Sequence, residues 1–152
     1  METQDDLVLV SKVLLQEDES SHAIILKEEE PDRRYFEMSV GPLEFMAIAK
    51  EQGKIHPPRP LTHDLYLSLL EGLDIKLERV EIHDQRAGAY IASVVCTKDG
   101  QPARIDARPS DSLALALNRK LPIYVHRKLF KTEPTKEDLD LYDELCKVVR
   151  FK

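Results

Sequence analysis

Asp106, Arg108 and Asp111 crowd one short stretch around Pro109 and Ser110. Two carboxylates so close in sequence, Asp106 and Asp111, are candidate ligands for a divalent ion such as Mg2+ or Mn2+. Such hard cations take oxygen ligands and activate water for attack on a phosphodiester. Arg108 brings a planar fork suited to phosphate oxygens, and Ser110 adds a hydroxyl. Local structure explains the same residues differently. With Pro109 at the first helical position, Asp111 falls in the third, where an acid meets free N–H groups and the positive end of the dipole. A helix start of this kind also favours a bound anion.

A second block, Arg59-Pro60-Leu61-Thr62-His63-Asp64, offers a proton-transfer group in His63, a base or ligand in Asp64 and a further phosphate contact in Arg59. Adjacent residues on a helix do not face each other, so His63 and Asp64 are not a dyad by adjacency. Thr62 as N-cap with Asp64 in the first turn accounts for two of these residues structurally. His56, His83 and His126 have no metal spacing and read as surface histidines. There is no Gly-rich phosphate loop, no Gly-x-Ser-x-Gly elbow and no cysteine nucleophile signature. The few aromatic residues are not interleaved with basic ones, as a single-strand stacking platform would require.

These residues need elements to hold them. Leu7 to Gln16 and Ala23 to Lys27 read as a strand pair joined by a polar turn, and Tyr35 to Val40 as a third strand. A helix follows from Pro42 to about Gln52, stopped by Gly53. Lys54 to Pro60 holds three prolines and reads as a loop. Thr62 opens a second helix with an apolar stripe of Leu65, Leu69, Leu70 and Leu73. Leu77 to Ile82, Tyr90 to Cys96 and Ala103 to Ala107 are strands. Asp84 to Gly88 and Lys98-Asp99-Gly100-Gln101 are the turns between them. Pro109 to about Arg119 is the third helix, and Pro122 to His126 a short strand.

The strand–Pro–acid–helix unit occurs twice. Met38 to Ala49 aligns without a gap on Ile105 to Ala116, so that Pro42 matches Pro109, Glu44 matches Asp111 and Met46-Ala47-Ile48-Ala49 matches Leu113-Ala114-Leu115-Ala116. Two copies suggest an internal duplication rather than a solenoid. The expected fold is α+β: a mixed, largely antiparallel sheet of about seven strands with packed helices. Residues 1–131 form the domain. Residues 132–152 are expected as an amphipathic C-terminal helix with Leu139, Tyr142, Leu145 and Val149 on one face.

Arg108-Pro109-Ser110-Asp111, the Ala/Leu helix after it, Pro122-Ile123-Tyr124-Val125 and Arg59-Pro60-Leu61-Thr62-His63-Asp64-Leu65 resemble the bifunctional nuclease domain family. The resemblance runs from about Val8 to about Phe130. It implies DNase and RNase activity, with nucleic acid as partner. On that basis His63, Asp64, Asp106 and Asp111 are the catalytic candidates, Asp106 and Asp111 the metal ligands, and Arg59, Arg108 and Ser110 the phosphate contacts. This chain departs from the family pattern at Ser112, usually Ala, at Asn118, usually Arg, and in the more polar stretch Tyr35 to Gly41.

Composition sets limits. The chain has 152 residues, a formal net charge of −6 and two cysteines. An acidic chain is a poor non-specific binder of nucleic acid, whose affinity comes from phosphate neutralisation, so a nuclease here needs a local basic cleft. Arg33 with Arg34, and the loop holding Lys54, His56, Arg59 and His63, are the basic clusters. Cys96 and Cys146 sit in unlike surroundings and read as free thiols. No segment reads as a membrane span or leader, so a cytoplasmic protein is expected. Uncovered sheet edges favour a homodimer. Two non-enzymatic alternatives remain: a module binding a small anionic ligand, and an interaction protein acting through its tail helix.

Overall fold

The computed structural model describes residues 4–29, 34–133 and 140. Of the expected C-terminal helix, 132–152, only Thr132, which lies in a strand, Glu133 and Asp140, which is helical, are among them; Cys146 and Arg33 are not. Within them the chain forms nine strands, three α-helices and two 3-10 turns. The strands are β1 (Leu7–Leu9), β2 (Lys12–Glu17), β3 (His22–Lys27), β4 (Arg34–Val40), β5 (Lys76–Arg86), β6 (Ala89–Lys98), β7 (Gln101–Ala107), β8 (Ile123–His126) and β9 (Lys131–Thr132). The helices are α1 (Pro42–Glu51), α2 (Thr62–Gly72) and α3 (Pro109–Arg119).

The fold is α+β, but with two sheets where one was expected. The five-stranded sheet has the order β1-β8-β5-β6-β7, and the four-stranded sheet β2-β3-β4-β9. All neighbours are antiparallel except β5 and β8. The segment Leu7 to Gln16, read as one strand, divides between the sheets. Val10 N–H bonds to Ile123 O at 2.9 Å and Ser11 N–H to Lys27 O at 2.8 Å, so the chain crosses from one sheet to the other at that step.

Alternation decides the faces. On β4, Phe36 and Met38 are buried while Glu37 and Ser39 are not. Ile24, Leu26, Phe36 and Met38 of one sheet, Val80, Ile82, Ala92 and Val94 of the other, and Ile48 and Leu113 of the helices make one core. Each such fully buried large side chain contributes about 1.5–3 kcal/mol. Both hairpins of the larger sheet turn on two residues with positive φ, Ala87 and Gly88 (49° and 80°) and Asp99 and Gly100 (49° and 75°). That geometry matches the right-handed twist of the flanking strands. β5 runs four residues past Ile82 because it stays paired with β6 through an irregularity between Ile82 and Asp84.

The two repeat units fold alike. Each strand ends in an extended N-cap, Gly41 (φ −72°, ψ 165°) or Arg108 (φ −70°, ψ 143°), and each helix begins on a proline. Ala47 and Ala49 of α1 and their counterparts Ala114 and Ala116 of α3 are all buried, and small side chains let the helices approach closely. Arg108 bonds Glu44 at the helix starts and Asn118 bonds Glu51 at the ends, so α1 and α3 run in the same direction. Glu51 and Asn118 occupy equivalent places in the two units, separated by the same interval as Pro42 and Pro109.

On the other face of the larger sheet Glu81 is only 2% exposed. Arg79 Nε donates to its Oε1 at 2.7 Å and Arg104 Nη2 to its Oε2 at 2.5 Å. Burial opposes ionisation, but these two guanidinium groups hold the Glu81 carboxyl below its ordinary range.

Candidate functional site

Asp111 is the centre of the site. It lies in the first turn of α3, its carboxylate turned toward Arg108 and His63. His63 Nε2 lies 2.9 Å from Asp111 Oδ1. Arg108 Nε donates to Asp111 Oδ2 at 2.9 Å and Nη2 to Oδ1 at 3.3 Å. The third guanidinium nitrogen, Nη1, donates to Glu44 Oε1 at 3.1 Å. Residues far apart in sequence thus meet because α1 and α3 are parallel neighbours and α2 crosses beside them. Partial burial opposes ionisation of Asp111, but the bonds and charges of Arg108 and His63 outweigh it and keep the carboxyl below its ordinary range. Asp111, and secondarily Glu44, raise the Arg108 pKa. The Arg108 side chain is 64% exposed and retains N–H groups directed to solvent.

The Nε2 atom of His63 faces an acceptor, so Nε2 carries the proton in the neutral ring and Nδ1 carries the lone pair. Nδ1 has no hydrogen-bond partner among the described residues. A histidine held in this way, beside an exposed guanidinium, can accept a proton from a water or hydroxyl at Nδ1 and return it to a leaving oxygen.

Asp64 does different work. Its Oδ2 accepts from Leu61 N–H at 2.8 Å, and its Oδ1 pairs with Lys50, which also bonds Glu51 at 2.6 Å. The Lys50 bond is the largest cause of a lowered Asp64 pKa. Leu61, not Thr62, is the N-cap, with Thr62 the first helical residue. The Asp64 side chain reaches back to the Leu61 N–H, the acid half of a capping box, and leaves Thr62 no capping role. Asp64 is therefore a cap and an anchor for α1, though it neighbours the cluster through His63.

Asp106 is not drawn into the cluster. It is an exposed residue of β7, opposite Ser93, and makes no hydrogen bond or ion pair among the described residues. Arg59 is exposed on the loop before α2 and likewise unbonded there. The expected Asp106–Asp111 metal pair does not suit a resident cation: both Asp111 oxygens are occupied by Arg108 and His63, and the guanidinium puts a positive charge where the ion would sit. Among the described residues no group of three His, Cys, Asp or Glu is placed to hold a metal.

Beside Arg108 lies a cleft of about 670 Å³ between β4, the β5–β6 turn and the starts of α1 and α3. Gly41, Glu44, Arg108, Ser110, Tyr90 and Lys131 are among its walls. Ser110 is buried on this wall. Two helix N-termini, a guanidinium and an ammonium thus border one concavity, against Glu37 and Glu44. Glu44 and Lys131 were not anticipated as site residues. The duplication carried the signal for Glu44, since it is the counterpart of Asp111 and both grip Arg108. Ser112, fully buried, donates to Arg108 O at 3.0 Å. Asn118 donates to Glu51 Oε2 at 3.0 Å, and Arg119 pairs with Glu71 on α2 at 3.2 Å.

α2 is held mostly by polar contacts. Leu67 is its one fully buried side chain, and Leu65, Tyr66, Leu69 and Leu73 beside it are more than half exposed. No helix is long and apolar enough to cross a membrane among the described residues.

Residues 24–138 match the family described as bifunctional nuclease domain. A Mycobacterium tuberculosis protein, called uncharacterized in its own name, is 37% identical over 118 residues, 78% of this chain and 70% of that protein. A rice protein named bifunctional nuclease 2 (Oryza sativa subsp. japonica) is 26% identical over 110 residues, 70% of this chain and 34% of the rice protein. Another, bifunctional nuclease 1 (Oryza sativa subsp. indica), is 25% identical over 111 residues.

Proposed function

Because the chain belongs to the bifunctional nuclease domain family, we propose that it is a nuclease hydrolysing phosphodiester bonds of DNA and RNA at the start of α3. The observation that carries this reading is the His63–Asp111–Arg108 cluster, a histidine of fixed orientation next to a solvent-facing guanidinium. The names of the rice relatives, bifunctional nucleases, support the same class of reaction.

In this mechanism the nucleic acid backbone lies across the cleft beside Arg108. The N–H groups of Arg108 not bound to Asp111 or Glu44 take a non-bridging phosphate oxygen, with Lys131 and the Ser110 hydroxyl on the same wall. His63 Nδ1 accepts the proton of the attacking water. Asp111 keeps the ring oriented and stabilises the imidazolium that forms, and that imidazolium then protonates the leaving oxygen. General acid–base catalysis of this sort supplies about 10²- to 10⁴-fold.

A second reading has its own observation. Glu44, Asp64 and Asp111 all have structural partners, so a non-catalytic module holding a small anionic ligand in the cleft uses the same residues without chemistry. Cleavage of single- and double-stranded DNA and RNA by wild-type protein and His63→Ala, each with Mg2+, Mn2+ or EDTA, separates the two. Cleavage lost in the folded variant is the expected result. Equal cleavage by both proteins, or none by either, overturns the nuclease reading. Survival of wild-type cleavage in EDTA, or its loss, decides whether a divalent ion takes part.

A further inference from the structure

We propose that β7 joins two copies of this chain, edge to edge and antiparallel, about a two-fold axis at Ile105. β7 is one edge of the five-stranded sheet; the other edge, β1, has only three residues. The turn at Asp99 and Gly100 closes on the pair Lys98 and Gln101. In two-residue hairpins the closing pair exchanges both backbone bonds, and the pattern alternates from there. The backbone groups of Gln101, Ala103, Ile105 and Ala107 therefore face β6. Those of Pro102, Arg104 and Asp106 face outward. Pro102, which has no N–H, stands where β6 requires none.

The exposed edge matches itself. Centring an antiparallel pair on Ile105 sets Arg104 of each copy opposite Asp106 of the other. Both are outward-facing positions, so each pair exchanges two backbone bonds. Their side chains lie on one face of the sheet with opposite charges, a favourable cross-strand arrangement. On the other face Ile105, 53% exposed, meets Ile105 of the second copy. Asp106, unbonded among the described residues, gains a partner. Arg104 spends one nitrogen on Glu81 and has a half-exposed side chain to offer.

The two adjacent registers fail. An axis at Arg104 sets Arg104 against itself, and an axis at Asp106 sets Asp106 against itself. The exposed edge of the other sheet, β2, has charged ends in Lys12 and Glu17, but their odd separation prevents them from opposing each other as a backbone-bonded pair. A two-fold contact uses the same strand of both copies and closes at two.

Sedimentation of the full chain at about ten micromolar tests this, with Ile105→Lys, Asp106→Lys and two cysteine variants in a Cys146→Ser background. Wild type is expected at twice the monomer mass. Each lysine variant is expected to weaken association at least tenfold, with an unchanged circular dichroism spectrum. Directly opposed residues of a non-bonded pair lie about 4.5 Å apart at Cα, within disulfide range. Ile105→Cys is therefore expected to cross-link on oxidation and Ala103→Cys, displaced from the axis, is not. A monomeric wild type, a dimer indifferent to both lysines, or equal cross-linking at the two positions overturns the proposal. If a lysine variant misfolds, the cysteine pair still decides.

Discussion

Asp111→Asn separates chemistry from structure. Asp111 accepts from three nitrogens, two on Arg108 and one on His63. Asparagine is nearly isosteric but keeps one acceptor oxygen, so whichever way the amide turns, one donor faces another donor. The structural cost is small, because Arg108 is largely exposed and Asp111 only partly buried. Exposed ion pairs contribute about 0–1 kcal/mol, and with the bond from His63 the total comes to about 1 kcal/mol, a fall in Tm of roughly 2–6 °C. The catalytic cost is large, since His63 loses the group that fixes its ring and stabilises its charge. Cleavage of a labelled oligonucleotide is expected to drop about 100-fold or more. Thermal unfolding and turnover on the same preparation are the assay. A loss of activity under about threefold, or a Tm fall above about 12 °C, refutes the reasoning and makes Asp111 a helix cap.

Other consequences can be checked separately. Arg79→Ala strips one of two cations from the buried Glu81 carboxylate and is expected to cost about 2–3 kcal/mol in urea unfolding; a loss below about 0.5 kcal/mol contradicts the buried-pair account. Ser112→Ala removes a hydroxyl bonded to a carbonyl that already accepts from the Ser112 N–H, so stability is expected to stay within about 1 kcal/mol of wild type by thermal melting. The Asp64 and Asp111 carboxyls are held below their ordinary values when folded, so their stabilisation is present above about pH 4 and is lost as pH falls through their lower folded values. Asp64→Asn is expected to flatten the acid limb of stability against pH, and an unchanged limb would exclude the Lys50 pair as its source.

The sequence carried the local features and missed the meetings between distant ones. Pro42 and Pro109 mark helix starts because their fixed φ and missing N–H suit that position, and both helices begin there. Asp99-Gly100 marks its hairpin for a similarly local reason. A period of two tells which face of a strand is buried but not which sheet the strand joins, so the division of Leu7 to Gln16 was not legible. Nor was the extension of β5 through His83 to Arg86, which depends on pairing with β6. His63 and Asp64 were legible as candidates, but their separation was not. Successive helical residues point about 100° apart, so one turns to Asp111 on α3 and the other to Lys50 on α1. The exclusion of Asp106 follows from the strand pleat, which carries it to the sheet face away from α3.

The manner in which α2 is docked also governs how the domain breathes. Two ion pairs, Lys50–Asp64 and Arg119–Glu71, and the His63–Asp111 hydrogen bond hold it over a single buried leucine. Elements with few buried apolar contacts open at free energies below that of global unfolding. In amide hydrogen exchange the α2 protons are therefore the early ones and those of α3, buried along Leu113 to Ala116, the late ones. Salt screens the pairs and widens the gap. Each opening carries His63 away from Asp111 while Arg108 stays with Asp111 and Glu44 at the helix starts, so the cluster comes apart and re-forms without the sheets unfolding.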